Sequence, residues 1–247
     1  MKKTTHFHLY FKRFSERAIL VEWPGQIDEK ILEDVLSFKK AILQNHNKQI
    51  VQVISAYHSI LITYRATIDN FNSEVSRLKA VYVQRKYSEQ NLQKRWRIPV
   101  CYDAQFGLDL AEISKTKNRS KSEIIKRHSE AIYTVYFIGF LPGFLYLGGL
   151  DEQLYVPRKA QPRQRIEKGA VAIGGSQTGI YPNASPAGWN VIGNCPLELF
   201  DATQNPPCFA KAGDQVQFCQ IGLEQHHKIS EAIKKGTYNL EFETIDD

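Results

Sequence analysis

Three short segments concentrate the residues from which a binding or catalytic site could be built. The first, FIGFLPGFLYLGGL (137–150), sets Gly139, Gly143, Gly148 and Gly149 among Phe140, Pro142, Phe144 and Tyr146. Glycine lets the backbone bend or approach another group closely, and the aromatic rings supply rigid walls. A buried strand–turn–strand corner would use the same residues. In the second, YVPRKAQPRQR, Arg158 and Arg163 each follow a proline. Proline fixes φ, so both guanidinium forks leave the chain at constrained positions, and such forks match a carboxylate or phosphate. A solvated basic loop is the alternative. The third, AIGGSQTGIYPNASPAGWNVIG, holds Gly174, Gly175, Ser176, Gln177, Thr178 and Gly179. That run could form a nest of backbone N–H groups for an oxyanion or phosphate, with Gln177, Tyr181 and Trp189 adding hydrogen-bonding and stacking groups. No Gly-Lys-Ser/Thr follows, so it is not a P-loop and ATP is not assigned to it. His128 is the histidine nearest the cluster and the candidate general base, against the alternative of a helix-end histidine that caps or packs. There is no G-x-S-x-G elbow and no H-E-x-x-H.

The elements around these segments change character along the chain. HFHLYF and AILVEW read as strands flanking a turn at SER, and Asp28 stands where it caps a helix carrying Ile31, Val35, Phe38 and Ile42. IVQVI and SILITY are β-rich, and Phe71, Val75, Leu78 and Tyr82 share one face of a second helix. This pattern predicts a small α/β sandwich, ferredoxin-like in outline, over residues 1–95. A new strand starts within NLQKRWRIPV. Two helical pieces follow, the second opening on the Ser120/Glu123 capping-box pattern and running to His128. From Ile132, short apolar runs with frequent Gly and Pro predict an all-β sandwich or closed barrel over 96–227. The tail, 228–247, reads as a short helix, a glycine stop and a loosely ordered acidic end. The fold class is therefore α+β.

The formal charge of +6 is uneven, with 17 Lys and Arg against 9 Asp and Glu through Arg97, and 15 against 17 beyond it. Basic residues are scattered among acids, which describes a solvated surface and no nucleic-acid site. MKKTTHFHLYFKR lacks the apolar stretch of a signal peptide, and no apolar run approaches the roughly 18 residues of a membrane span. Cys101, Cys195, Cys208 and Cys219 have no C-x-x-C spacing and read as reduced thiols of a cytoplasmic protein. His6/His8 and His226/His227 lack neighbouring ligands, so surface histidines and no metal are expected.

Taken together, HSEAIYTVYFIGFLPGFLYLGGL, YVPRKAQPR and AIGGSQTGIYPNASPAGWNVIG resemble the allophanate-hydrolase subunit 1 family, also called the KipI type. The motifs run from about Ile98 to Phe200, and AYHSILITY resembles the family's strand entry. The resemblance implies a ferredoxin-like domain followed by a cyclophilin-like β-barrel of the carboxyltransferase C/D type. It implies pairing with a homologous barrel, the C subunit, and joint action with a lactam-utilisation-type A subunit. Such an assembly is a 5-oxoprolinase that uses ATP to hydrolyse 5-oxo-L-proline to L-glutamate. The ATP site is not assigned to this chain. The implied roles are anion contacts for Arg158 and Arg163 and proton transfer for His128. The implied pocket is formed by Phe140, Pro142, Gly143, Tyr146, Gly174, Gly175, Gln177, Thr178, Tyr181 and Trp189. The other function within the family's range is a regulator that inhibits a histidine kinase. Ala187 replaces the first glycine of the family's Gly-Gly-Trp, at a cost of about 1 kcal/mol if that position needs a positive φ.

Overall fold

Asp28 caps α1 (Glu29–Gln44): its carboxylate accepts from the N–H groups of Lys30 and Ile31. Those donors would otherwise be orphaned at the helix start. Asn70 does the same for α2 (Phe71–Gln84) by accepting from Ser73. These helices belong to the first of two units in a computed structural model that describes residues 7–45, 48–85 and 93–245. The units are Met1–Asn91 and Leu92–Asp247.

In the first unit β1 (Tyr10–Ser15), β2 (Ala18–Glu22), β3 (Ile50–Ser55) and β4 (Ser59–Tyr64) form one antiparallel sheet in the order β1-β2-β4-β3. Alternate residues Ile60, Ile62 and Tyr64 of β4 are buried, the two-residue period of a strand with one covered face. They pack with Ile31, Val35, Phe38 and Ile42 of α1 and Leu78 and Tyr82 of α2. Inside this core Asp34 accepts from Trp23 Nε1 and from the Tyr82 hydroxyl, both at 2.7 Å, and pairs with Arg85. The element order is ββαββα, whereas the ferredoxin-like outline runs βαββαβ. The first strand also starts later than HFHLYF suggests, because pairing of Tyr10 with Glu22 sets its register; His6 lies outside the described residues.

The second unit is a closed barrel. Its strands are β5 (Gln93–Cys101), β6 (Ile132–Ile138), β7 (Leu145–Gly148), β9 (Ala170–Gly174), β10 (Gln177–Ile180), β12 (Asn190–Asn194) and β13 (Gln215–Ile221). They hydrogen-bond in the order β12-β9-β10-β7-β6-β13-β5, and the pairing of Asn194 with Cys101 joins β12 back to β5. Closure removes the open sheet edges. The β13–β5 pair is parallel, from Gln215 opposite Arg95 to Ile221 opposite Cys101. Ile98, Val100, Tyr133, Val135, Leu147, Ile173 and Phe218 are among the residues that fill the core. A separate ribbon pairs β8 (Arg163–Ile166) with β11 (Ser185–Ala187).

Helices α3 (Leu110–Lys117) and α4 (Lys121–Glu130) lie between β5 and β6. Half of the capping box forms: Ser120 Oγ accepts from Glu123 N–H, while the Glu123 carboxylate turns to Arg119 and Arg127. Helix α5 (Leu223–Lys234) begins five residues before the tail expected from residue 228. Within the tail, β14 (Phe242–Ile245) pairs antiparallel with β5, and the Phe242 ring lies 5.0 Å from that of Trp96; Asp246 and Asp247 lie outside the described residues. His226 is not a surface residue either, because its ring is buried, donates from Nε2 to Asn194 Oδ1 at 2.8 Å and lies 4.6 Å from the Phe106 ring. No helix among the described residues is long and apolar enough to cross a membrane.

Ending the chain at Leu240 removes β14 and uncovers Trp96. The expected result is a red shift in tryptophan emission and a loss of about 1–3 kcal/mol in denaturant unfolding. An unchanged midpoint and spectrum would show that β14 adds nothing to the barrel.

Candidate functional site

His128 lies in the last turn of α4 with no solvent exposure, stacked on Phe218 at 4.6 Å between ring centroids. Its two nitrogens are both engaged, Nδ1 with the Tyr102 hydroxyl at 2.7 Å and Nε2 with Thr178 Oγ1 at 2.8 Å. The Thr178 hydroxyl donates to the Ala172 carbonyl, so Thr178 must accept from His128 Nε2–H. That leaves Nδ1 as acceptor for Tyr102 O–H and assigns the neutral tautomer. Burial pushes the imidazole down to about 3, so the ring stays uncharged at neutral pH. His128 thus stands as a buried, neutral crosslink in the barrel, the packing alternative for a helix-end histidine, with Thr178 as one of its two partners.

The Gly174–Gly179 run is a β-hairpin in place of the expected nest. Gln177 pairs with Gly174 and Thr178 with Ile173, so Gly175 and Ser176 make a two-residue turn with Gly175 at φ +66°. Gly175 N–H donates to the Val156 carbonyl at 2.7 Å, and the ladder uses the neighbouring groups. Gly174 serves a different purpose. A Cβ there would stand 2.5 Å from the Trp189 ring, so the missing side chain is what lets the indole lie on the strand. Gly143 is needed both for its φ of +85° and because a Cβ would meet Phe200 Cβ at 2.8 Å.

Trp189, Tyr181, Phe144 and Tyr146 form one aromatic cluster, with Phe144 at 5.0 Å from Tyr146, 5.3 Å from Tyr181 and 5.8 Å from Trp189. Phe140 sits edge-on to Phe144 at 5.8 Å, yet is 69% exposed and holds a left-handed φ of 67°. A non-glycine residue there stores about 1–2 kcal/mol of backbone strain. Pro142 is exposed beside it, and Gln177 is half-buried. Ala187 carries no such strain, since it is not among the positive-φ residues and lies in β11.

The two Pro-Arg positions diverge. Arg163 makes a bidentate pair with Asp109, both contacts at 2.7 Å, so its fork is already filled by a carboxylate of this chain. Lys159 joins the same acid at 2.9 Å and Glu112 at 3.0 Å. Arg158 is exposed, has no acidic partner among the described residues, and stands with its guanidinium carbon 5.8 Å over the Trp189 ring. Its charge is felt by both tyrosines. Burial raises Tyr181 to about 12 and also raises Tyr146, with Arg158 opposing in each case. Both phenols therefore remain protonated donors at neutral pH. The structure thus brings Arg158, Tyr146, Tyr181 and Trp189 together, with Phe140 and Pro142 nearby, while Arg163, His128 and Thr178 are engaged by other groups of this chain. Asp109 was missed because a lone Asp ahead of LAEISKTK looks like an ordinary helix cap. It makes no side-chain cap bond, and its partner Arg163 is 54 residues away.

The carboxyltransferase domain, subdomain C and D family matches residues 9–210. The B subunit of 5-oxoprolinase from Haemophilus influenzae is 38% identical over 210 residues, covering 85% of this chain and 97% of that one. The protein of the same name from Bacillus subtilis is 46% identical over 134 residues, which cover 54% of this chain and 56% of that one. Among solved structures, the protein TTHA0988 superposes with a TM-score of 0.71 at 29% identity over 83% of this chain; the match spans 40% of the longer TTHA0988 chain.

The buried His128 makes a pH prediction. Its folded pKa is depressed from the ordinary 6.5 to about 3, so the unfolded chain binds a proton that the folded one refuses in that interval. The contribution is complete above 6.5 and is lost as pH falls towards 3, at up to about 1.4 kcal/mol per unit. Thermal melts of His128→Gln should show a shallower decline across that window than the unmodified chain. Parallel curves would contradict the assignment.

Proposed function

The chain belongs to the carboxyltransferase domain, subdomain C and D family, and on that footing we propose that it is the B subunit of an ATP-dependent 5-oxoprolinase. It would hydrolyse 5-oxo-L-proline to L-glutamate in the cytoplasm together with a homologous barrel, the C subunit, and with a lactam-utilisation-type A subunit. The barrel is read as cyclophilin-like. The observation that carries the proposal is Arg158, a cation without an acidic partner among the described residues, held over an aromatic wall. An arginine fork there suits the substrate's carboxylate, and Trp189 suits the flat face of the lactam ring. Tyr146 and Tyr181, kept protonated by burial, are O–H donors for oxygen atoms of the ring or of the developing oxyanion.

Hydrolysis adds water across the lactam C–N bond. The carbonyl carbon becomes the side-chain carboxylate of glutamate and the ring nitrogen its amine. ATP hydrolysis drives a reaction that an unactivated amide resists. The residues of this chain do not fit a triphosphate at the glycine-rich hairpin, because Gly175 N–H is spent on Val156 and the strands on each other. Nucleotide binding and activation of water accordingly belong to partner chains in this reading, since His128 is sealed and Asp109 is committed to two cations. This chain's share is to bind and orient the substrate.

The test is reconstitution with the A and C subunits and assay of ATP-dependent glutamate release. Arg158→Ala should lower kcat/KM by about 100-fold with the complex still assembled. Glutamate release unaffected by the change would remove the assignment, and an inactive complete assembly would turn the reading to the histidine-kinase regulator. Arg163→Ala should instead destabilise the chain in denaturant unfolding by about 2 kcal/mol, because the buried Asp109 loses its bidentate partner.

A further inference from the structure

Arg158 and Trp189 face each other because their chain neighbours are tied together. Asn190 Nδ2 donates to the Pro157 carbonyl at 2.9 Å, and Lys159 N–H donates to the Gly188 carbonyl at 2.7 Å. Each tie lies one residue away from the Arg158–Trp189 pair, so 158 is set opposite 189. One side-chain and one backbone hydrogen bond thus set this register directly. A charge from a third segment adds to it. Asp109, 1% exposed, takes Lys159 Nζ at 2.9 Å, both Arg163 nitrogens at 2.7 Å and Val191 N–H at 2.7 Å. Asp109 N–H also donates to the Val191 carbonyl at 2.8 Å, so its own backbone is fixed to the strand that follows Trp189. One carboxylate thereby grips both sides of the Arg158–Trp189 pair, the Lys159–Arg163 stretch on one side and Val191 on the other.

The charge balance fits this division of labour. Lys159 and Arg163 are neutralised within the chain by Asp109 and Glu112, while Arg158 has no acidic partner among the described residues and is available to a ligand. Burial alone would raise the Asp109 carboxyl, but hydrogen bonds from Arg163, Lys159 and the Val191 N–H outweigh it and hold the acid below its ordinary value. The clamp is thus fully charged wherever the enzyme would work.

We propose that Asp109 is a positioning residue for the substrate carboxylate, acting through Lys159, Arg163 and Val191 to place the Arg158 guanidinium over Trp189. This rests on the 5-oxoprolinase reading, in which Arg158 meets that carboxylate. Asp109 touches no substrate itself. An error of about 1 Å in a binding group is enough to cost a large factor in turnover or affinity.

The test uses the complete complex of this chain with the A and C subunits, with 5-oxo-L-proline as the varied substrate. Asp109→Asn keeps the volume and an oxygen for Val191 N–H but sets an amide donor against the cations. It should raise KM about tenfold while kcat stays within about threefold. A merely structural role would instead lower the active fraction, seen as reduced kcat at unchanged KM, and would overturn the proposal. If Asp109→Asn does not fold, Lys159→Met decides, because it keeps the Arg163–Asp109 pair. It should raise KM in the same direction by a smaller factor, and a KM equal to that of the unmodified complex overturns the proposal. Arg158→Ala is the reference. If it raises KM while the Asp109 and Lys159 variants do not, the positioning role alone fails. If it leaves KM unchanged, the anion-contact reading of Arg158 fails first.

Discussion

An ionised carboxylate removed from water must be met by donors or it will not stay ionised. Asp109 meets that demand with two cationic side chains and one backbone N–H, drawn from segments that share no local sequence with it. Those segments are the ones that carry the surface features of the site. The arrangement of the Pro-Arg stretch against the strand after Trp189 therefore depends on electrostatics inside the protein more than on any property of the stretch itself. A proline-rich loop has little hydrogen-bonding capacity of its own, and the buried acid supplies the missing constraint.

The same device recurs where the chain has to be gathered. Asp34 in the first unit receives the Trp23 indole N–H, the Tyr82 hydroxyl and Arg85. Asp214 in the second receives the Trp96 indole N–H at 3.0 Å and the backbone of Lys211 and Lys94. His128 plays a parallel part without charge, joining the Tyr102 hydroxyl to Thr178 through a neutral ring. In every case a polar residue makes at least one hydrogen bond across a large sequence separation, which gives an apolar core a fixed register that dispersion alone does not specify.

Much of the local structure was legible in the sequence. The Asp28 cap, the apolar steps of α1 and α2, and the SILITY strand follow from short-range rules, and the structure places them within a residue or so. The barrel was foreshadowed by its short runs and Gly/Pro turns. What could not be read was who pairs with whom. Arg163 looked like Arg158 in sequence, both preceded by proline, and only the distant Asp109 tells them apart. His128 looked available because its partners, Tyr102 and Thr178, lie 26 and 50 residues away. The glycine run looked like an anion nest, but its turn follows from the pairing of Gly174 with Gln177, which only a sheet defines. Phe242–Ile245 looked like an acidic tail because its strand partner, β5, comes some 146 residues earlier.

That last pairing bears on the order in which a growing chain acquires structure. Strand β5 is the first of the barrel to leave the ribosome, and its neighbours β13 and β14 are the last, about 120 and 146 residues later. The sheet of the first unit needs only contacts within residues 10–64 and can form while synthesis continues. Strand β5, rich in exposable apolar and backbone groups, must wait unpaired on these flanks until β13 and β14 have been synthesised. The interval of vulnerability to mispairing and chaperone capture is set by translation time over that span, and slow codons placed between β5 and β13 would lengthen it.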